Sequence, residues 1–218
     1  MIDTPHLITR LGHDLAPVRR LRKPLVRALI WLGFAGVLMG CLALADGLRP
    51  DLAIRFRLPA FSLALAGMAL TAILGTIAAF MLSLPDRSRL WFLAPLPGLA
   101  LWLGNVGWQC ASGLFAPVVG GMASDDLARC VATLILASLP LSLSLMLLLR
   151  HATRLAPMPV ALSAALAISA FAAMALTLCH QIDASLLILG WNLGTILILT
   201  GAAALIARRS RAIAEFSG

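Results

Sequence analysis

Six stretches of the chain run apolar for about twenty residues each, the length a helix needs to cross the hydrocarbon of a bilayer. They lie at Ala28–Ala45, Pro59–Leu84, Leu90–Gln109, Leu127–Leu149 (with Arg129 at its edge), Met158–Leu178 and Ala184–Ala207. Their apolar character is continuous rather than alternating, which excludes the strands of a membrane barrel. A helix satisfies its own backbone hydrogen bonds in lipid, so the pattern predicts an all-α integral membrane protein, a bundle of six transmembrane helices. Pro95, Pro97 and Pro140 fall inside these runs and are expected to kink their helices.

Composition agrees with this division. Apolar residues make up 61% of the 218 and charged residues only 12%, with a mean hydropathy of +0.98. A water-soluble domain of this size would lack the polar side chains to cover its surface. The connections between runs are short, the longest being Asp46–Leu58 and Cys110–Asp126, and leave no room for a second folded domain. Residues 1–27 form one polar tail, residues 28–207 the membrane domain and residues 208–218 a second tail.

Charge sets the expected orientation. Thirteen of the seventeen basic residues fall in the first tail, in the Arg87/Arg89 and Arg150/Arg154 loops and in the last tail, against four (Arg49, Arg55, Arg57 and Arg129) on the other side. The positive-inside rule then places both the N and C termini in the cytoplasm. The net charge of +8 reads as this anchoring and not as a nucleic-acid footprint. Ala43-Leu44-Ala45 imitates a signal-peptidase site, but the first apolar run is longer than a signal requires and follows a 27-residue tail. An uncleaved first helix is the expectation.

The spans as drawn contain no Asp, Glu, Lys or His and no Arg away from their edges. Such residues mark ion paths and proton relays, so their absence disfavours a coupled pump or a charge-moving channel. Asn105, Gln109, Ser142, Ser144, Asn192 and Thr195 are expected to hydrogen-bond between helices, with Gly33, Gly36, Gly40, Gly67 and Gly75 allowing close approach. The chain lacks G-x-S-x-G, H-E-x-x-H, a phosphate-binding loop and CxxC, so no catalytic residue and no cofactor is indicated. A non-enzymatic protein is expected.

Topology makes the four cysteines informative. Cys41, Cys110, Cys130 and Cys179 all fall at or near the outer ends of their spans, in a compartment that permits disulfides and exposes thiols to metal ions and oxidants. Cys41, inside a span, reads as a small buried hydrophobe. For Cys130 and Cys179 a structural disulfide and a redox or metal role are both open. Arg129 adjoins Cys130 and would favour its thiolate. His180 and Asp183 beside Cys179 would be harder auxiliary ligands, and Cys110 is an additional outer thiol.

In the first tail, Thr4-Pro5 opens a short helix that Pro17 stops. Leu7, Leu11 and Leu15 share one face with Ile8, while Arg10 and Asp14 lie off it. A helix this short is marginal in water, so its apolar face needs a partner. The bilayer surface and a protein groove both fit.

The whole arrangement resembles the NrsF-type membrane anti-sigma factors, a bacterial family of six-helix inner-membrane proteins. The likeness covers nearly the full chain. It rests on Leu7-Ile8, the Asp14–Val18 run, Arg22-Lys23-Pro24, Gly107-Trp108, Cys130, Cys179-His180, Asp183-Ala184-Ser185, Trp191-Asn192 and Arg208-Arg209. The resemblance implies that the protein holds an extracytoplasmic-function sigma factor on the cytoplasmic side, with no direct contact to nucleic acid. It also implies release of that factor when outer cysteines, matched here by Cys130 and Cys179, sense heavy metal or oxidant. The tail anchors Leu7, Leu11 and Leu15 are then the expected contact. Two rival readings stand beside it: a periplasm-facing thiol oxidoreductase that would use the same cysteines, which the missing CxxC disfavours, and a small metal transporter or structural subunit of a membrane complex, of which the empty membrane interior disfavours the transporter.

Overall fold

The computed structural model describes residues 23–84, 86–111, 124–149, 157–179 and Gly194. Its described residues contain helices and no strands. Five long helices are apolar enough to cross a membrane, and they make this a multi-pass membrane protein. We number them α1 (Pro24–Asp46), α2 (Pro59–Leu82), α3 (Leu96–Ala111, which with the 3₁₀ segment before it makes up the membrane-length stretch Arg89–Trp108), α4 (Ser124–Leu149) and α5 (Pro157–Cys179). They match the first five expected spans. The sixth, Ala184–Ala207, lies outside the described residues except for Gly194, as do the last tail and residues 1–22 of the first, whose last four residues, Pro24–Arg27, belong to α1.

Proline and glycine punctuate the helices as their backbone chemistry dictates. α1 and α2 each open with proline, whose missing N–H is no loss in a first turn. α1 ends at Asp46 because Gly47 adopts φ +80, a left-handed conformation open to glycine. The third apolar run is not one helix. A 3₁₀ segment, Arg89–Leu93, precedes α3, and Pro95 and Pro97 fall between the two and in the first turn of α3. Proline cannot continue a helix from its preceding turn, so the expected kink is a break. Pro140, by contrast, sits within α4, which runs on through it.

α2 and α5 form the centre, with 61% of their spans buried against 22% for each of the other three. α3 packs on α2, α4 on α5, and α1 touches α2, α4 and α5. Between apolar helices in lipid, close van der Waals packing and interhelical hydrogen bonds do the work that water does elsewhere. Gly75 provides the first at the α2–α5 contact, where a Cβ would meet the Ser163 carbonyl at 3.1 Å. At the α2–α3 contact the fit is reciprocal: a Cβ on Gly67 would lie 2.7 Å from the Trp102 nitrogen, and one on Gly98 would lie 2.6 Å from the Thr71 nitrogen. Asn105 supplies an interhelical bond, donating to the Ala60 carbonyl at 2.7 Å.

Three expectations about packing change. Gly33, Gly36 and Gly40 line an open face of α1, with no described neighbour within 4 Å of a built Cβ, so they do not close any described contact. Cys41 is exposed on α1, not packed in the core, because the buried positions of that helix are Ala28, Trp31, Ala35 and Leu42. Ser142 bonds only back to Leu139 on its own helix, whereas Ser144 does cross to a neighbour, accepting from Trp31 Nε1 at 3.0 Å. Gln109, Asn192 and Thr195 have side chains outside the described residues.

Candidate functional site

Helix polarity brings the two cysteines to one end of the bundle. Cys130 lies in the second turn of α4, and Cys179 is the last residue of α5. Cys130 belongs to the buried face that continues through Thr133, Ala137, Leu141 and Leu145, the three- and four-residue spacing of one helix stripe. Cys179 is half-buried. Both are free thiols, and the described residues include no disulfide. Arg129 is exposed while Cys130 is buried. Consecutive helix positions do not face each other, so the cation next in sequence is not the spatial partner it was expected to be.

The polar groups at this end of the bundle come from α4 itself, the end of α1 and the turn after it. Thr133, one turn along from Cys130, donates its hydroxyl to Asp46 Oδ2 at 2.6 Å, and its own-helix acceptor, the Arg129 carbonyl, lies at 3.0 Å. Asp46 also begins the turn that reaches the end of α5. Three residues further on, the Arg49 N–H donates to the Leu178 carbonyl at 3.1 Å. The Arg49 guanidinium reaches the Thr177 carbonyl at 3.4 Å. A helix ends with unpaired carbonyls and partial negative charge, and Arg49 answers both at the end of α5.

Arg49 is itself an unusual residue for this place, since its side chain is wholly buried. It is tolerated there because Asp51 pairs with it twice, from Nε to Oδ1 at 2.8 Å and from Nη2 to Oδ2 at 3.2 Å. Arg55 adds a third bond to the same carboxylate at 2.8 Å, one helical turn along. Hydrogen bonds from Arg49 and Arg55 hold the Asp51 carboxyl down at about 2, well below its ordinary range. The segment from Asp46 to Asp51 therefore fastens the heads of both cysteine helices to the end of α1.

At the opposite end, α1 is fastened again. The Arg27 guanidinium donates to the Leu148 carbonyl near the end of α4 and stands over the Phe80 ring at 5.4 Å, a cation–π arrangement. Trp31, buried one turn later, bonds Ser144 and meets Phe171 of α5 edge-on at 5.8 Å.

Asp46, Arg49, Thr133 and Arg27 were not among the candidate site residues read from the sequence. A hydropathy window trims charged residues off a span, so α1 was drawn from Ala28 to Ala45 and lost the charge at each end. The Asp51/Arg55 spacing of four was the one local sign of the ion pair. Cys110 falls in the last turn of α3; its side chain, His180, Asp183, Leu7, Leu11 and Leu15 lie outside the described residues. Among the described residues no three His, Cys, Asp or Glu side chains converge as a metal cage.

A family model described as NrsF, negative regulator of sigma F, matches residues 11–211. The chain belongs to this family. Membership in NrsF makes the protein a negative regulator of a sigma factor, and so gives it a sigma factor as partner. No curated protein and no solved structure matches the chain. The NrsF match runs from inside the first tail to the last one, so it takes in both cysteine helices and the turn that joins them.

Proposed function

We propose that this protein is a non-enzymatic anti-sigma factor of the bacterial inner membrane that holds an extracytoplasmic-function sigma factor through its cytoplasmic N-terminal tail. It releases that factor when Cys130 and Cys179, facing the periplasm, bind a heavy metal or are oxidised. The observation that carries the reading is the NrsF match over nearly the whole chain, joined to five helices fit to cross a membrane. The Lys/Arg distribution supports the orientation. The amphipathic stripe of Leu7, Leu11 and Leu15 is the surface best suited to a protein groove.

The chemistry required is modest. A soft metal ion displaces a proton from each thiol it binds. Alternatively, an oxidant takes two electrons and two protons from the pair as a disulfide forms. Either event favours one arrangement of the α4 and α5 heads over another. The sigma factor needs only a different affinity for the two arrangements, and couplings of this kind are about 1–3 kcal/mol.

The test is a pull-down of the detergent-solubilised protein from its own cells, comparing the full chain with a deletion of Met1–Leu21. Recovery of a sigma factor by the full chain alone is the expected result. If neither form retains one under non-inducing conditions, the anti-sigma reading fails. For the thiols, Cys130→Ser or Cys179→Ser is expected to blunt induction by cadmium or diamide while membrane insertion is unchanged. Normal induction in both variants removes the sensor assignment.

A further inference from the structure

α1 and α4 are joined by more than apolar contact. Arg27 bonds Leu148, Trp31 bonds Ser144 and Asp46 bonds Thr133, so residue numbers rise on one helix as they fall on the other. Two of these rungs lie at the tail end of α1. The third lies at the cysteine end, about 22 Å away at 1.5 Å per residue. The two helices are thus tied at both ends, and the polypeptide leaving the start of α1 is the N-terminal tail.

The rung at the cysteine end differs in kind from the others. A threonine hydroxyl has one proton to donate, and among the described residues Thr133 has the Asp46 carboxylate in range at 2.6 Å and the Arg129 carbonyl at 3.0 Å. Releasing Asp46 leaves the buried Thr133 with its own-helix acceptor, so parting the rung strands no donor in the core. Asp46 itself is exposed, and three residues on, the chain is bonded at Arg49 to the carbonyl of Leu178, the residue before Cys179. A cation captured by the Cys179 thiolate would draw this carboxylate, and a negatively charged oxidation product would repel it. The chain turns at the following residue, Gly47 with φ +80, and the Arg49 anchor on Leu178 ties the same turn to α5.

We infer that Asp46 is the positioning residue that couples the two thiols to the N-terminal tail, by latching the end of α1 to the Cys130 turn through Thr133, three residues before Arg49 bonds the Leu178 carbonyl beside Cys179. The inference rests on the sensor reading above and adds to it the route by which the thiols act. Neither thiol needs to move far. A changed charge at Cys179 or an added group at Cys130 alters the choice Thr133 makes between the Asp46 carboxylate and the Arg129 carbonyl, and α1 is then held to α4 at one end instead of two.

The experiment uses the full chain in nanodiscs, with Cys41→Ser and Cys110→Ser so that only Cys130 and Cys179 react. Methyl methanethiosulfonate converts each thiol to its methyl disulfide, releasing methanesulfinate and a proton, and mass spectrometry counts the groups added. The readout is the rate at which trypsin cuts the tail between Arg19 and Lys23. Modification is expected to change that rate by at least about 5-fold, the lower end of typical coupling between linked sites. In Thr133→Val the same two groups add but the rate change is lost, and Thr133→Ser, which keeps the hydroxyl, restores it. Asp46→Ala, a change at an exposed position, is expected to behave as Thr133→Val does. A full response in Thr133→Val and Asp46→Ala overturns the coupling role while leaving the sensor reading intact. A parent protein whose tail ignores modification of both thiols overturns the sensor reading and the coupling with it.

Discussion

Asp51→Ala is expected to lower the thermal midpoint of the detergent-solubilised protein by about 10 °C, and Arg49→Met by distinctly less. The asymmetry follows from where each charge sits. Arg49 has a side-chain exposure of 0% and Asp51 of 36%. Removing the carboxylate leaves a guanidinium in the bundle with, among the described residues, the Thr177 carbonyl at 3.4 Å alone to meet it. An unpaired buried charge is among the costliest defects a single substitution creates. Removing the guanidinium instead leaves a partly exposed carboxylate that still has Arg55 at 2.8 Å, and methionine fills much of the vacated space. A thermal melt of the two variants side by side decides the matter, and an equal loss in both would show that the ion pair acts only through packing. The same pair fixes an acid response. Because its carboxyl is held at about 2 against an ordinary 3.8, Asp51 contributes its full stabilisation above pH 3.8 and loses it as the pH falls through about 2. The midpoint of the parent protein should therefore show no loss from this source until strongly acid conditions.

The second large effect belongs to the α2–α3 contact. Gly98→Ala is expected to cost about 3 kcal/mol, the upper end for overpacking, while Gly36→Ala stays within about 0.5 kcal/mol of the parent. Both are glycines in apolar helices, and composition alone treats them alike. At Gly98 the added methyl would sit 2.6 Å from a backbone nitrogen and 3.0 Å from a backbone carbonyl carbon of α2. Backbone cannot rotate out of the way as a side chain can, so the helices must part. Their separation then loosens the reciprocal seat of Trp102 on Gly67, which lies one turn further along. At Gly36 the methyl meets no described atom within 4 Å. Steric-trap unfolding or a denaturant series in mixed micelles would measure both. Equal costs at the two sites would mean that the α2–α3 approach is looser than the structure has it.

How much of this could be read from the chain depends on the physics behind each feature. Long apolar runs are local and strong, so the first five spans were legible to within a few residues at most boundaries. The α3 break was half-legible: Pro95 and Pro97 announced a disturbance, but continuous hydropathy hid that the segment before them is a separate 3₁₀ turn. Which glycines pack was not legible, because Gly36 and Gly40 have the spacing of a contact motif and Gly67 and Gly98 share no motif at all. Partner identity, not spacing, decides it. At the candidate site the cysteines were found by topology, yet the groups around them were missed. Asp46 and Arg49 look like ordinary loop charges until α4 and α5 are brought beside them, and Thr133 looks like any threonine in a span. Arg129 misled because adjacency in sequence is not adjacency on a helix.

The charges at the two ends of α1 bear on what this helix can do in a bilayer. From Arg27 to Asp46 is nineteen residues of rise, about 28 Å, close to the roughly 30 Å of bilayer hydrocarbon. A piston stroke along the helix axis in either direction would draw one of these charges beneath the headgroups, where ionised groups are strongly disfavoured. Rolling about the axis or leaning within the membrane leaves both at the water's edge. Immersion depth is thereby pinned for α1, and the freedom left to it is angular.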